Sequence, residues 1–512
     1  MKRKIISIIG VLLLLTAAHQ SFGQYFQKLY DIDSSYDWGM DIFVLSDGSY
    51  FVKTEAGISN IDHGYWALVN MKISADGSTI LNERIVTDSI ASLYGGANGG
   101  IILLPGGGYL SPLSINVFYG SYNRASAGLV KYNAVGDTVF LKTFTDTSVY
   151  FEGMICCAIM PGGGYIAGGT RELNSSSYYK GLIARTDSMG DTLWTRTYQL
   201  DTTDLVQIDN VIPLADGRII VGATSSRLVN PGPDAYYSDA AWFMVLDSAG
   251  NIISDTVYSM GGGNILPDKN GGYVIWGSYD SVNASNPDDI RNFPNFIAHV
   301  DSNFRMTWIT EFPYTPTDEH RAIWMIRQLS DSSYVAVGDQ LVTSSAGSYG
   351  WGAKVNRNGE IVWNKYYLSD TAKYAALRDV AERPDGSLIF TGTTMNDTLP
   401  TWHQTEDVWL VSTDSNGCEN VWCAPTRVNN IRPTNSGVLV YPNPARSMLN
   451  FQYSLQSNVT IKITDITGRL MDEQRLQNSA ATSFNVSRYA PGIYLYQFIT
   501  DGSTQSGKVI VE

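Results

Sequence analysis

A short turn recurs seven times along this chain at nearly constant spacing, and no other feature restricts its fold as strongly. An Asp, Asn or Ser is followed three residues later by Gly at Ser74/Gly77, Asn133/Gly136, Asp187/Gly190, Asp247/Gly250, Asn356/Gly359 and Asp414/Gly417. A further copy keeps Asp301 but carries Phe304 in the glycine position. Successive first residues lie 59, 54, 60, 54, 55 and 58 apart. A side-chain oxygen at the first position caps a type I turn, and glycine at the fourth supplies the positive φ that lets a hairpin close. Alternating apolar residues precede the turn, as in Trp242-Phe243-Met244-Val245, and an aromatic follows the glycine position by four residues at Phe140, Trp194, Trp308 and Trp363.

Upstream of each copy lies a second turn with a strand on either side, as at Asp47-Gly48-Ser49-Tyr50, Asn270-Gly271-Gly272-Tyr273 and Asp385-Gly386-Ser387-Leu388. One repeat therefore reads as four antiparallel strands, and seven repeats predict a seven-bladed β-propeller. The extra length of each repeat is assigned to polar loops between second and third strands, such as 227–239 and 279–295. Gly168, Gly222, Gly277, Gly338 and Gly392 follow the second turn and are suited to close backbone approach near an axis. Residues 25–30 resemble the fourth strand at 363–367 and are expected to pair with the last blade and close the ring. Val421-Trp422 competes for the same place.

The chain opens with Lys2, Arg3 and Lys4, an apolar run over 5–18, and small residues at Ser21 and Gly23. That is the pattern of a removable signal peptide over 1–23, with the mature chain starting at Gln24. No later segment is long and apolar enough to predict a membrane span. Only 16% of residues are charged, against 12% aromatic and 48 glycines, a balance suited to a β-rich extracellular protein. Removing the signal peptide takes away three cations and no anion, so the net charge moves from −14 to −17. Such a chain repels phosphate backbones and anionic lipids, which makes nucleic acid and membrane surfaces poor partners.

After Cys423 the text changes. Residues 424–436 read as a linker, and 437–512 as about seven short strands with frequent turns, a small Ig-like β-sandwich. Tyr441-Pro442-Asn443-Pro444, the turn ending at Gly468-Arg469, Pro491-Gly492-Ile493-Tyr494 and a basic-apolar end at Lys508 occur in that order. Together they resemble the type A C-terminal sorting domain of type IX secretion cargo. The resemblance implies passage across the inner membrane by the signal peptide and across the outer membrane by this domain. It implies the type IX machinery as partner, removal of the domain, and release or attachment at the cell surface. It implies nothing about the cargo's activity.

Four cysteines are present. Export permits disulfides, and Cys418 with Cys423 brackets a short loop whose closure is favoured here. Cys156 and Cys157 are neighbours in an apolar strand and read as core thiols. No Cys/His cluster has metal-ligand spacing, and no cofactor or metal site is expected.

Catalytic groups do not assemble from the sequence. The stretch from Asp187 to Trp194 is similar in part to the Asp box of sialidase propellers and in part to the tryptophan-docking repeat of quinoprotein propellers, motifs that serve structure in both families. Arg185, Arg218, Arg321 and Arg378 do not group at matching strand positions. His63, His299, His320 and His403 are isolated, with His299 read as packed beside Ile297. The acidic pairs Asp288-Asp289 and Asp318-Glu319 read as loop charges. The expectation is an exported binding module recognising a glycan or protein through loops that carry Tyr178-Tyr179 and Tyr236-Tyr237. The competing expectation is an extracellular polysaccharide hydrolase or lyase with acidic residues in the central pocket.

Overall fold

The structure is a computed structural model, and it describes residues 25–32, 36–58, 65–87, 91–96, 100–119, 122–144, 151–172, 179–201, 205–229, 236–278, 295–312, 318–342, 347–368, 374–395, 405–419, 439–441, 445–466, 468–500 and 504–511. The chain divides into two compact units, Met1–Ala424 and Pro425–Glu512. The described elements are strands throughout, and none of them is a helix long and apolar enough to cross a membrane.

The recurring turn builds itself from contacts within five residues. In the copy at Asp247, the carboxylate Oδ1 accepts from the backbone N–H of Ala249 (2.9 Å) and of Asn251 (2.8 Å). The Gly250 N–H donates to the Asp247 carbonyl at 3.0 Å. Gly250 has φ +82°, a conformation an L side chain rarely adopts. Asp187, Asp301, Asn356 and Asp414 accept the same pair of N–H groups. Phe304 takes this place with φ +58°. Its ring stacks on Phe243 (5.6 Å) and Tyr273 (5.4 Å), so buried aromatic contact offsets the backbone strain.

Among the described residues these turns link strands into the antiparallel units of a β-propeller, four strands to a unit except in blade 2. That blade takes its first strand in two pieces, Ala91–Gly95 and Ile102–Leu103, before Tyr109–Tyr119, Tyr122–Tyr132 and Thr138–Thr143. Blade 1 is Asp37–Val44, Tyr50–Ile58, Tyr65–Ile73 and Ile80–Val86. Blade 4 is Leu205–Pro213, Ile219–Val229, Tyr236–Leu246 and Ile252–Tyr258; blade 5 is Gly261–Pro267, Tyr273–Ser278, Asn295–Val300 and Met306–Phe312. Blade 6 is Asp318–Gln328, Tyr334–Val342, Gly347–Val355 and Ile361–Tyr367. Blade 7 draws Tyr374–Glu382, Leu388–Met395 and Glu406–Thr413 from late in the chain, and its fourth strand is Gln27–Tyr30. Gln27 pairs with Val411 and Tyr30 with Val408, as the likeness of 25–30 to 363–367 requires. Ile42, Val52 and Val69 of blade 1 share a core with Ile389, Val408 and Leu410 of blade 7, so the ring is closed by packing as well as by pairing.

A second repeated contact ties several outer strands to the next blade. The Tyr198 hydroxyl donates to the Gly250 carbonyl (2.7 Å), Tyr367 to Gly417 (3.0 Å) and Tyr30 to Gly77 (2.7 Å). The aromatics four residues earlier, Trp194, Trp363 and Phe26, lie over those same glycines. Where an aromatic follows the turn, it thus serves the neighbouring blade.

First strands carry a β-bulge. It falls at Met40 in blade 1, Asp209 in blade 4, Trp324 in blade 6 and Arg378 in blade 7. The bulge drives a carbonyl of the first strand onto the second: a Cβ at Gly392 would sit 1.9 Å from the Ala376 oxygen. That close approach is the reason for the glycine after the second turn.

Three expectations need correction. Residues 227–229 and 236–239 are paired strand rather than loop, Arg227 lying opposite Ser238 and Val229 opposite Tyr236. Asp318-Glu319 opens a strand, with Asp318 opposite Val342. The sorting unit has five described strands rather than about seven: Leu439–Tyr441, Met448–Asp465, Leu470–Asn485, Gly492–Thr500 and Thr504–Val511. Its two long strands change register between Gln452 and Gln456 and continue. Phe451 packs edge-on against Phe484 and Tyr496 within a core that includes Ile461, Tyr494 and Val509.

Candidate functional site

The bulge in the first strand pushes its residue out of register, and in blades 6 and 7 those residues are Trp324 and Arg378. They meet. The Arg378 guanidinium lies 4.1 Å from the Trp324 ring centroid, and Trp324 Nε1 donates to Asp339 of the neighbouring strand. Burial lowers the Arg378 pKa, opposed by the charges of Asp339, Glu406 and Glu55. Its Nε–H is buried without a hydrogen-bond partner.

Arg378 lines a pocket of about 150 Å³ with Trp38, Tyr374, Thr393 and Glu406. First strands begin, and second strands end, on this face of the ring. A parallel bridge between Tyr36 and Glu406 brings the entry of blade 1 against blade 7. Trp38 Nε1 donates to Glu406 Oε2, and burial raises the Glu406 pKa. Thr393 is buried and its hydroxyl has no partner. Trp38 packs 4.6 Å from Trp66, which lies 6.4 Å from the exposed Tyr36 and 6.0 Å from Tyr94 of blade 2. Larger crevices of about 310 and 230 Å³ lie elsewhere. The first sits at the outer edge beside Arg84 and Gly136, and neither gathers opposite charges with unpartnered polar groups.

Beneath the pocket is a buried ionic cluster. Arg327 holds Asp379 with two bonds of 2.9 Å, and Asp379 Oδ2 accepts the Ile42 N–H at 3.1 Å. Lys53 Nζ lies 3.6 Å from Asp41 and donates to the Gly96 carbonyl at 2.9 Å. Burial pushes Asp41 up to about 6 and Glu55 up to about 7, in each case against the lowering effect of Lys53. Asp379 and Asp41 occupy the same post-bulge position in adjacent blades. Asp379 ties blade 7 to Arg327 of blade 6 and to Ile42 of blade 1.

The residues singled out from the sequence are scattered. Arg185 donates to the carbonyls of Gly163 and Tyr165, Arg218 pairs with Asp216, and Arg321 is buried against Gln340 and the Trp351 ring. His299 is packed: Nδ1 lies 2.6 Å from Thr307 Oγ1, Nε2 lies 3.1 Å from Asp268, and its ring stacks on Trp308. Of the four arginines, Arg378 alone reaches the pocket. Trp38, Thr393 and Glu406 were not singled out, since no local motif marks them. Cys418 is disulfide-bonded and Cys156 and Cys157 are buried free thiols. Cys423, His63, His403, Asp288, Asp289, Tyr178 and Pro442-Asn443-Pro444 lie outside the described residues, as does the 1–23 segment.

In the second unit Asp465 repeats the propeller's turn chemistry. Its Oδ1 accepts the Arg469 N–H (3.1 Å), while its carbonyl accepts from Gly468 (3.0 Å). Tyr494 is buried, donating to the Ala490 carbonyl at 2.8 Å. Tyr441 ends the first strand of the unit, Gly492 begins the fourth, and Lys508 pairs across from Leu495.

The order of these motifs meets an independent comparison. Residues 439–512 match the family of the secretion system C-terminal sorting domain. The chain is therefore an exported protein, secreted or held at the cell surface, and its sorting domain implies the secretion machinery as partner. No curated protein matches it. Among solved structures, an acylaminoacyl peptidase of Pyrococcus horikoshii aligns at 8% identity and TM-score 0.39, over 83% of this chain and 60% of that one. The chain thus spans less than two thirds of the peptidase. An alpha-L-arabinanase of Penicillium chrysogenum, complexed with arabinobiose, aligns at 15% identity and TM-score 0.39, over 62% of this chain and 93% of that one.

Proposed function

We propose that the propeller is a non-catalytic binding module whose extracellular ligand seats in the pocket between Trp38, Arg378, Thr393 and Glu406. One observation carries the reading: a partly aromatic cavity holds a guanidinium N–H and a hydroxyl that lack partners, beside a carboxylate. Pockets with aromatic walls and a few convergent polar groups are the common form of ligand sites. Hydrolysis of a glycosidic bond ordinarily needs two carboxyl groups across the scissile bond. Among the described residues lining this pocket, Glu406 is the one carboxylate, and Trp38 already occupies one of its oxygens.

On this reading residues 24–423 are the working part and 1–23 and 437–512 are export signals. Residues 424–436 join the two domains, and Cys423 bridges Cys418. Screening the exported protein against glycans, peptides and matrix proteins, with indole fluorescence as readout, is the test. A ligand whose binding falls on Arg378→Ala supports the reading. Release of reducing ends or unsaturated products from a polysaccharide panel, lost in Glu406→Gln, would overturn it in favour of a hydrolase or lyase.

A further inference from the structure

The chemistry of the pocket narrows its ligand, on the premise that it binds one. Three carboxylates, Asp339, Glu406 and Glu55, act on the single guanidinium of Arg378. The other nearby cations are committed, Lys53 to Asp41 and the Gly96 carbonyl, Arg327 to Asp379. A ligand anion that reached Arg378 would also meet the Glu406 carboxyl in the same wall, where burial already opposes negative charge. A ligand cation would have to approach Arg378 itself, which stands in the wall. Charge of either sign is opposed; a neutral group rich in hydroxyls is not. Such a group accepts from the Arg378 Nε–H, donates to Glu406, and does either with Thr393.

The aromatic rings point the same way. Trp38 forms part of the pocket wall, and the rings continue outward from it through Trp66 to Tyr36, which is 44% exposed. A row of partly exposed rings offers successive flat apolar surfaces with few hydrogen-bonding groups, matching the C–H faces of linked pyranose units. An isolated small molecule would use the pocket and leave the row idle.

We infer that the site takes a neutral polysaccharide chain, with one sugar unit in the pocket at Arg378 and Glu406 and the following units stacked along Trp38, Trp66 and Tyr36. The test is titration calorimetry on the full exported chain with neutral gluco-, manno- and xylo-oligosaccharides of increasing length. Uronic-acid oligomers and oligolysine serve as charged probes. At least one neutral series binds, its affinity rises with length until the row is covered, and Trp66→Ala lowers affinity for the long members about tenfold. The same substitution leaves the shortest binding member unchanged, and Trp66→Tyr restores most of the length dependence. Affinity that does not rise with length, or that ignores Trp66→Ala, overturns the row. Tighter binding of a charged probe, weakened by Thr393→Val, overturns the neutral class while the binding-module reading stands. Failure of every saccharide together with capture of a peptide or matrix protein at Arg378 has the same effect. Failure of every ligand class overturns both.

Discussion

Two junctions between neighbouring blades solve the same problem with different chemistry. Between blades 4 and 5, Asn210 Oδ1 accepts the N–H of Ile265 at 3.0 Å. Between blades 7 and 1, Asp379 Oδ2 accepts the N–H of Ile42 at 3.1 Å. Asn210 and Asp379 both follow the bulge of a first strand, and each bonds the next blade's first strand one residue past its own bulge-following position. At the first junction the acceptor is a neutral amide. The adjacent Asp209 is satisfied locally by Thr224 (2.6 Å) and Gln207 (2.7 Å). At the second it is a carboxylate, which must be counter-charged when buried. Arg327 is drawn from blade 6 for that purpose, and the parallel carboxylate Asp41 draws Lys53. The contrast explains why the axis is so ionic where the two ends of the propeller chain meet. What remains outside the clasp is Arg378, one residue from Asp379, and it belongs to the pocket.

The sharpest way to break the comparison is to remove each acceptor. Asp379→Ala orphans the Ile42 N–H and strips Arg327 of its partner. The expected loss is about 3 kcal/mol, at the low end for a broken buried pair because Arg327 keeps 34% of its side chain exposed. Asn210→Ala orphans only the Ile265 N–H and should cost about 1–2 kcal/mol. Urea unfolding of the two variants measures both, and equal losses would dissolve the distinction.

Acidity sharpens it further. The buried Glu55 sits at about 7 against an ordinary 4.5, chiefly because burial opposes its charge. A carboxyl raised on folding contributes stability that is full below its unfolded value and is lost as pH rises through the folded one. Lys53, Asp41 and Arg378 face it, and Asp41, at about 6 against 3.8, acts in the same direction. Thermal stability should therefore fall between pH 4.5 and 7, and Glu55→Gln should flatten part of that fall. Above pH 7 the variant's Tm should exceed that of the parent by about 2–4 °C. Scanning calorimetry across this range decides the matter; a parent Tm that climbs through it would refute the assignment. Blade 4 carries one such group, Asp209 at about 6.

The smallest effects belong to the outer clasps. Tyr198→Phe and Tyr30→Phe each delete one buried hydroxyl bond to a glycine carbonyl. Each should cost about 1 kcal/mol by denaturant midpoint. The two should also differ in hydrogen exchange. Tyr30→Phe should speed exchange in the third strand of blade 7, Glu406–Thr413, whose partner Gln27–Tyr30 reaches it from the far end of the chain.

Much of this architecture was legible because its causes are local. The turn at Asp247 is made by atoms within five residues, and the apolar alternation before it dictates which face is buried. The strand at 27–30 could be matched to 363–367 because Phe26 and Tyr30 repeat the spacing of Trp363 and Tyr367, which clasp the next turn in the same way. The sorting domain was legible for the same reason, through short motifs in a given order. Its long strands continue through a register shift between Gln452 and Gln456 that short motifs do not reveal, and the paired extension at 227–229 and 236–239 lay beyond the motifs in the same way.

The sequence by itself determined a repeating set of hairpins, a ring of them, and an exported fate. Each follows from contacts near in the chain or from a motif read in order. The pocket is different. Trp38, Arg378, Thr393 and Glu406 come from the first and last blades and lie up to 368 positions apart, as in the Trp38–Glu406 bond. Only ring closure brings the first blade beside the last. Only the bulge turns Trp324 and Arg378 toward each other, since one inserted residue reverses which way every later side chain on a strand faces. Neither event leaves a local mark, and so the tertiary structure alone decided where the proposed site lies.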